Sequence, residues 1–237
     1  MSDKTGARQA IAASDSTALL RLLQLASPTL PVGAYTYSEG LETLVQSGLV
    51  QTVEQIEHWL QQELICGAVR IEAAIVLRAY RAKASEDWDA IAHWNHWLSA
   101  ARETAELRQQ SWQMGRSLVR LIEQLHPELA PKFEDRSENW NFAVAFGLTA
   151  AHWQISEAVT VLGYLQSWAS NLINAAVRLV PLGQTAGQRL LLKLSADLEA
   201  AANNLLTLAD DDLTSSGWGL AIASMQHETL YSRLFRS

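Results

Sequence analysis

The chain has a single cysteine in 237 residues, five prolines, and no run of 18 apolar residues anywhere. A lone Cys66 excludes an internal disulfide, and the missing apolar run excludes a membrane-crossing helix. Positive charge is also short, because 18 Lys and Arg against 25 Asp and Glu leave a formal net charge of -7 and an isoelectric point near 5.4. That balance offers no general attraction to phosphate backbones or anionic lipid, so neither nucleic acid nor a membrane is expected as a partner. The opening Met1-Ser2-Asp3-Lys4 lacks the apolar core of a signal peptide, and with the unpaired cysteine this points to the cytoplasm.

The motifs of common catalysts are missing too. Gly-x-Ser-x-Gly, His-Glu-x-x-His and Cys-x-x-Cys do not occur. The stretch Gly183-Gln184-Thr185-Ala186-Gly187-Gln188-Arg189 fails as a phosphate loop, with three residues between its glycines instead of four and no Lys-Ser/Thr after them. His93 and His96 share a helix face but bring no third ligand, and His58, His126 and His152 stand alone in sequence. Asp210 to Asp212 lacks the spacing of a calcium loop and reads as a solvated helix breaker. A binding protein is therefore expected rather than an enzyme, with no cofactor and no resident metal; the rival is an all-helical metal enzyme built on His93 and His96.

What is present is helix. Strict two-residue alternation is absent, Ala, Leu and Gln dominate, and apolar residues recur at three and four, which predicts an all-α, single-domain bundle of about eight to ten helices. Asp15 or Ser16 is expected to cap the first helix, which Pro28 stops. Ser38 is expected to open a second that Gly48 closes, and Thr52 with Gln55 forms a capping-box pattern for a third. Ser85 and Ser99 are expected to cap two more, the latter running toward Gln124. Residues 131 to 139 read as loop, and a helix from Glu157 to Val180 precedes one from Gln184 to about Leu208. Residues 1–14 read as a flexible tail, 15–226 as the helical domain and 227–237 as a partner-binding tail.

Three segments are candidates for contact. In the first, Pro28 and Pro31 stiffen the backbone, Gly33 turns it, and Tyr35 and Tyr37 supply amphipathic anchors, so it reads either as an ordered loop over the core or as a pre-stiffened docking surface. The second is the joint Arg178, Pro181, Gly183, Gln184 and Gln188, which reads either as close helix packing through Gly183 and Gly187 or as an exposed contact edge. The third is the end of the chain, His227, Glu228, Tyr231, Arg233, Leu234, Phe235 and Arg236. Leu230, Tyr231, Leu234 and Phe235 would share a face if this segment coiled, but about ten residues make no stable helix alone, so a mobile or loosely docked end that orders on a partner is expected, the alternative being a tail tucked against its own core. Arg102, Glu103, Glu106 and Arg108 read first as a salt-laced helix face, with a partner-facing surface as the sharper alternative.

These segments also carry a family resemblance. The run from Leu22 to Glu42 through Ser27-Pro28-Thr29-Leu30-Pro31, Ser99 to Arg108 with Gln113-Met114-Gly115-Arg116, Arg178 to Arg189, and His227 to Arg236 together resemble the urease accessory protein F (UreF) family. The resemblance implies an all-helical homodimer that bridges UreD (also called UreH) and the GTPase UreG in the assembly that loads nickel into apo-urease. A narrower alternative is that an arginine, Arg178, Arg189, Arg233 or Arg236, stimulates GTP hydrolysis by UreG.

Overall fold

The computed structural model describes residues 13–134 and 139–237, and among these every regular element is helical. The helices are α1 (Ala13–Leu25), α2 (Leu41–Gln46), α3 (Val53–Cys66), α4 (Ala68–Ala84), α5 (Trp88–Ala101), α6 (Ala105–Leu125), α7 (Ala130–Glu134), α8 (Phe142–His152), α9 (Glu157–Leu179), α10 (Gln184–Lys193), α11 (Ser195–Leu206) and α12 (Trp218–His227). Short 3-10 turns occupy Ala34–Thr36, Pro127–Leu129 and Asp210–Asp212. The all-α expectation holds, whereas the twelve helices among the described residues exceed the eight to ten foreseen. The tail foreseen over residues 1–14 lies outside the described residues as far as residue 12.

The extra helices arise where tertiary contacts override local pattern. Ser99 lies inside α5, and the next helix starts at Thr104, whose hydroxyl accepts the Leu107 N–H at 3.2 Å. Between them Arg102 is extended and buried, its guanidinium paired with Glu72 of α4. The charges at Arg102 and Glu106 therefore belong to no single helix face. The foreseen Gln184 to Leu208 helix divides at the buried Leu194, which keeps α10 on α9 and α3 while α11 reaches α4 as well. Part of the foreseen loop after Pro131 forms α7. Asp87, not Ser85, caps α5, accepting the Ala90 N–H at 2.9 Å. The described part of α1 already runs from Ala13, so neither Asp15 nor Ser16 opens it, and Gly40 rather than Ser38 precedes α2.

One apolar core runs through the described helices, with α4 at its centre. From Ala68 to Ala79 nearly every α4 side chain is buried, and Ala143 to Ala150 of α8 lie wholly inside. Two helices enclosed on all sides need small residues where their backbones meet. Gly147 supplies that contact, since a Cβ there would sit 2.3 Å from the Val76 carbonyl oxygen. Gly115 does the same on α6, where a Cβ would meet the Trp140 carbonyl at 1.9 Å. Asn141, at the start of α8, donates to the Asn95 carbonyl at 2.8 Å and accepts from Ser111 at 2.9 Å, so that a buried polar knot joins α5, α6 and α8.

Gly147→Val should cost about 3 kcal/mol or more, lowering the melting temperature by roughly 6 to 12 °C, because the obstructing atom is backbone and cannot rotate away. A thermal melt followed by circular dichroism checks this. A loss under about 1 kcal/mol would show that α4 and α8 can slide apart freely.

Candidate partner-binding surface

The end of the chain is not a loose helix. After α12 the residues from Glu228 onward run without regular structure and fold back onto the carboxylate of Glu42 in α2. Glu42 is 2% exposed, and its oxygens accept the Leu234 N–H at 2.7 Å and the Phe235 N–H at 3.0 Å. His227 lies against the same carboxylate at 3.2 Å and reaches Glu106 on α6 at 2.9 Å through its other nitrogen. Arg233 closes the arrangement on Glu106 at 3.0 Å. A carboxylate taken out of water needs partners of this kind, and backbone amides joined to charge make strong ones.

The last residues are stitched to the Pro28 to Glu42 segment. Arg236 N–H donates to the Thr36 carbonyl at 2.8 Å, Ser38 N–H and Oγ–H both donate to the Ser237 carbonyl at 2.9 and 2.6 Å, and Ser237 Oγ–H donates to Gln110 at 2.6 Å. Arg178, near the end of α9, donates to the Tyr35 carbonyl at 3.2 Å and lies over the Phe235 ring at 4.5 Å. The structure thus gathers the proline-rich segment, Arg178 and the tail into one surface. It separates their side chains by role. Tyr37, His227 and Phe235 are buried and hold the surface together; Pro28, Pro31, Tyr35, Arg178, Glu228, Tyr231, Arg233, Leu234 and Arg236 are exposed. The face foreseen for Leu230, Tyr231, Leu234 and Phe235 does not form, because Glu42 captures the amides that a helix would use.

Beyond Arg178 lies the joint, where Pro181, Gly183, Gln184 and Gln188 are all exposed. Its glycines differ in role. Gly187 lets α10 approach α9, since a Cβ there would meet Val177 Cγ2 at 2.8 Å, whereas Gly183 faces open space and is suited by its φ of 74°. Gly33, at φ 78°, turns the proline-rich segment in the same way.

Behind this surface is a set of enclosed acids. Glu39, at a left-handed φ of 52°, is turned inward, accepting from Gln110 at 2.9 Å and from the Trp168 indole at 3.0 Å. Glu72 takes Arg102 on one oxygen and the Tyr164 hydroxyl at 2.8 Å on the other. They line a cavity of about 50 Å³ that also touches Pro28. Desolvation, then the neighbouring Glu72, pushes Glu39 up to about 7. Desolvation, then Glu39, pushes the buried Glu63 up to about 7. Desolvation, then Glu72, holds the Tyr164 phenol well above its ordinary range.

Several residues escaped the sequence pattern. Glu42 reads as ordinary helix surface until the tail is laid on it. Trp218, Ile222 and Met225 project outward from α12 at helical spacing. His126 and His152, isolated in sequence, meet at 3.1 Å beside Glu128. His93 and His96 are exposed, and among the described residues the three-ligand cluster lies elsewhere. Cys66 is half-buried at the end of α3, with Sγ 3.4 Å from the Gln62 carbonyl. Asp210 is more than a helix breaker, since it pairs with the buried Arg78 at 2.6 Å.

A family model described as UreF matches residues 50–195. Known proteins similar to this chain carry the name urease accessory protein UreF. One from Microcystis aeruginosa is 56% identical over 223 residues, covering 94% of this chain and 99% of that protein. One from a Nostoc species is 54% identical over 218 residues, covering 92% and 95%, and one from a Synechocystis species is 49% identical over 232 residues, covering 93% and 98%.

Glu42→Ala should release the tail, so that the Leu234 and Phe235 amides exchange at least tenfold faster while stability falls by about 2 to 4 kcal/mol. Unchanged exchange at those amides would show that other contacts hold the tail. For the same reason, removal of residues 227–237 is not neutral to the core, since it uncovers Glu42 and Ser38.

Glu63 gives a pH prediction. Its folded-state value of about 7 lies above the ordinary 4.5, so the folded chain is the more protonated state between them. The associated stability is complete below the ordinary value and is lost as pH rises through 7. Glu63→Gln stays neutral throughout. Its stability relative to the parent should therefore increase from pH 5 to pH 8, by an amount on the order of 2 kcal/mol. A difference in melting temperature that is flat or falls over this range would contradict the assignment.

Proposed function

The chain belongs to the UreF family, and we propose that it is a non-catalytic bridging subunit of the urease maturation complex. In this reading it is a cytoplasmic homodimer that holds UreD (UreH) and the GTPase UreG together while nickel enters apo-urease. The observation that carries the reading is the docked tail. Glu42 and His227 fix its path, leaving Tyr231 fully exposed and Leu234 54% exposed next to the segment that presents Tyr35, itself 68% exposed. Large apolar side chains held in water by an ordered backbone favour association, because little freedom is left to lose on binding.

We assign this surface to UreD. The exposed edge of Pro181, Gly183, Gln184 and Gln188 is then available to UreG, and the α1 face of Leu19, Leu20 and Leu23 to the second copy. An arginine acting on the GTPase is less well supported at Arg178 and Arg233, since one is held by the Tyr35 carbonyl and Phe235 ring and the other by Glu106.

Tyr231→Ala with Leu234→Ala should weaken capture of UreD at least tenfold and lower urease activation in parallel, while the melting temperature moves little, because neither side chain is buried in the free chain. Pull-down, activation assay and thermal melt decide it together. Capture at full strength by the folded double variant would remove the tail from the interface.

A further inference from the structure

The carboxyl ends of two helices meet at a cluster that plays no part in the surface described above. His126 caps α6, His152 is the last residue of α8, and Glu128 sits in the Pro127–Leu129 turn that follows α6. His126 Nδ1 is 3.1 Å from His152 Nε2 and 3.3 Å from Glu128 Oε1, and the last two are 3.5 Å apart. Three donors bound to one tetrahedral ion at about 2.0 to 2.1 Å stand about 3.4 Å from one another, so the triangle has the dimensions of one coordination face. We infer that His126, Glu128 and His152 form a binding site for one divalent transition-metal ion of the cobalt, nickel and zinc kind, with its remaining coordination open to water or an incoming ligand.

The chemistry of the donors selects that class. Two imidazoles and one carboxylate suit borderline ions, whereas calcium and magnesium take oxygen donors almost exclusively. Two helix carboxyl ends add negative potential where the cation would sit. The site is reachable, since the side chains of His126 and His152 are 29% and 23% exposed and that of Glu128 is 61% exposed. Two cations lie nearby and oppose a bound ion: Arg21 donates to the Trp153 carbonyl at 2.8 Å and keeps its charge, whereas the charge of Lys83 is offset by its pair with Glu86.

Trp153 supplies an opposing element. Its indole N–H donates to His126 Nε2 at 2.8 Å, which places the proton of the neutral ring on Nδ1, the atom that faces the other donors. Metal on Nδ1 moves that proton to Nε2 and displaces the indole bond. No net proton is released. The site is accordingly weakened by Trp153, and Trp153→Phe should bind metal more tightly. This inference is independent of the bridging role, because it concerns binding of an ion by the purified chain alone.

The test is titration of the full chain, free of any histidine tag, with Zn(II) and Ni(II), with Co(II) as a spectroscopic probe. The expected result is about one equivalent bound per chain, with Co(II) giving the strong visible bands of a low-symmetry nitrogen and oxygen site. His126→Ala with His152→Ala, and separately Glu128→Gln, should each lose roughly 10- to 100-fold in affinity. His93→Ala with His96→Ala should change nothing. Glu128 is exposed, so its variant keeps the test valid if the histidine pair proves necessary for folding. Binding that is absent in the parent chain, or present but unaltered by Glu128→Gln and by the histidine variants that fold, would overturn the assignment.

Discussion

The frame of this molecule depends on the backbone of α8 lying directly against that of α4 at Gly147. Such an approach leaves most of α4 out of water, and a helix so enclosed cannot carry unpaired charge on its buried faces. Each buried charged residue of α4 has a partner: Glu72 with Arg102 and Tyr164, Arg78 with Asp210 and the Leu208 carbonyl, and Lys83 with Glu86. Those partners in turn fix segments that have little regular structure of their own. Arg102 interrupts what would be one helix from Ser99 onward, and Asp210 positions the connection to α12.

A second carboxylate carries the arrangement to the ends of the chain. Among the described residues no Lys or Arg pairs with Glu42; it is satisfied by the Leu234 and Phe235 amides and by His227, so the acid is buried only when the tail is in place. Docking the tail and completing α2 are therefore coupled. The tail is thus an ordered strap whose anchor, Phe235, is buried and whose Tyr231 and Leu234 are exposed. In the proposed role, this geometry lets UreD binding proceed without first ordering a peptide.

Local chemistry was enough to read much of the fold. The Thr52 and Gln55 capping box forms as the pattern requires, α1 ends before Pro28, and α9 spans nearly the foreseen residues. The misplaced cap of α5 is a local matter, Asp87 against Ser85, but the larger differences share a physical cause, which is a partner distant in sequence. Glu42 bonds to a residue 192 positions away, and no window of local pattern contains both. His126 and His152 are 26 positions apart and meet only because α6 and α8 end together. Thr104 outcompetes Ser99 as a helix start because the buried pair of Arg102 and Glu72 pulls the chain out of helix between them. Proline, glycine and aromatic placement singled out the candidate segments, but which side chains of the tail face solvent depends on Glu42, which holds its backbone.

Hydrogen exchange on the free chain and on its complex with UreD tests the central claim most directly. If the tail is a docked strap, the Leu234 and Phe235 amides exchange slowly before UreD is added. On binding, new protection then appears at Leu230 to Ser232 and around Tyr35, where side chains are exposed in the free chain. Fast exchange at Leu234 and Phe235 in the free chain, or a complex that leaves the tail and Tyr35 unprotected, would contradict the account.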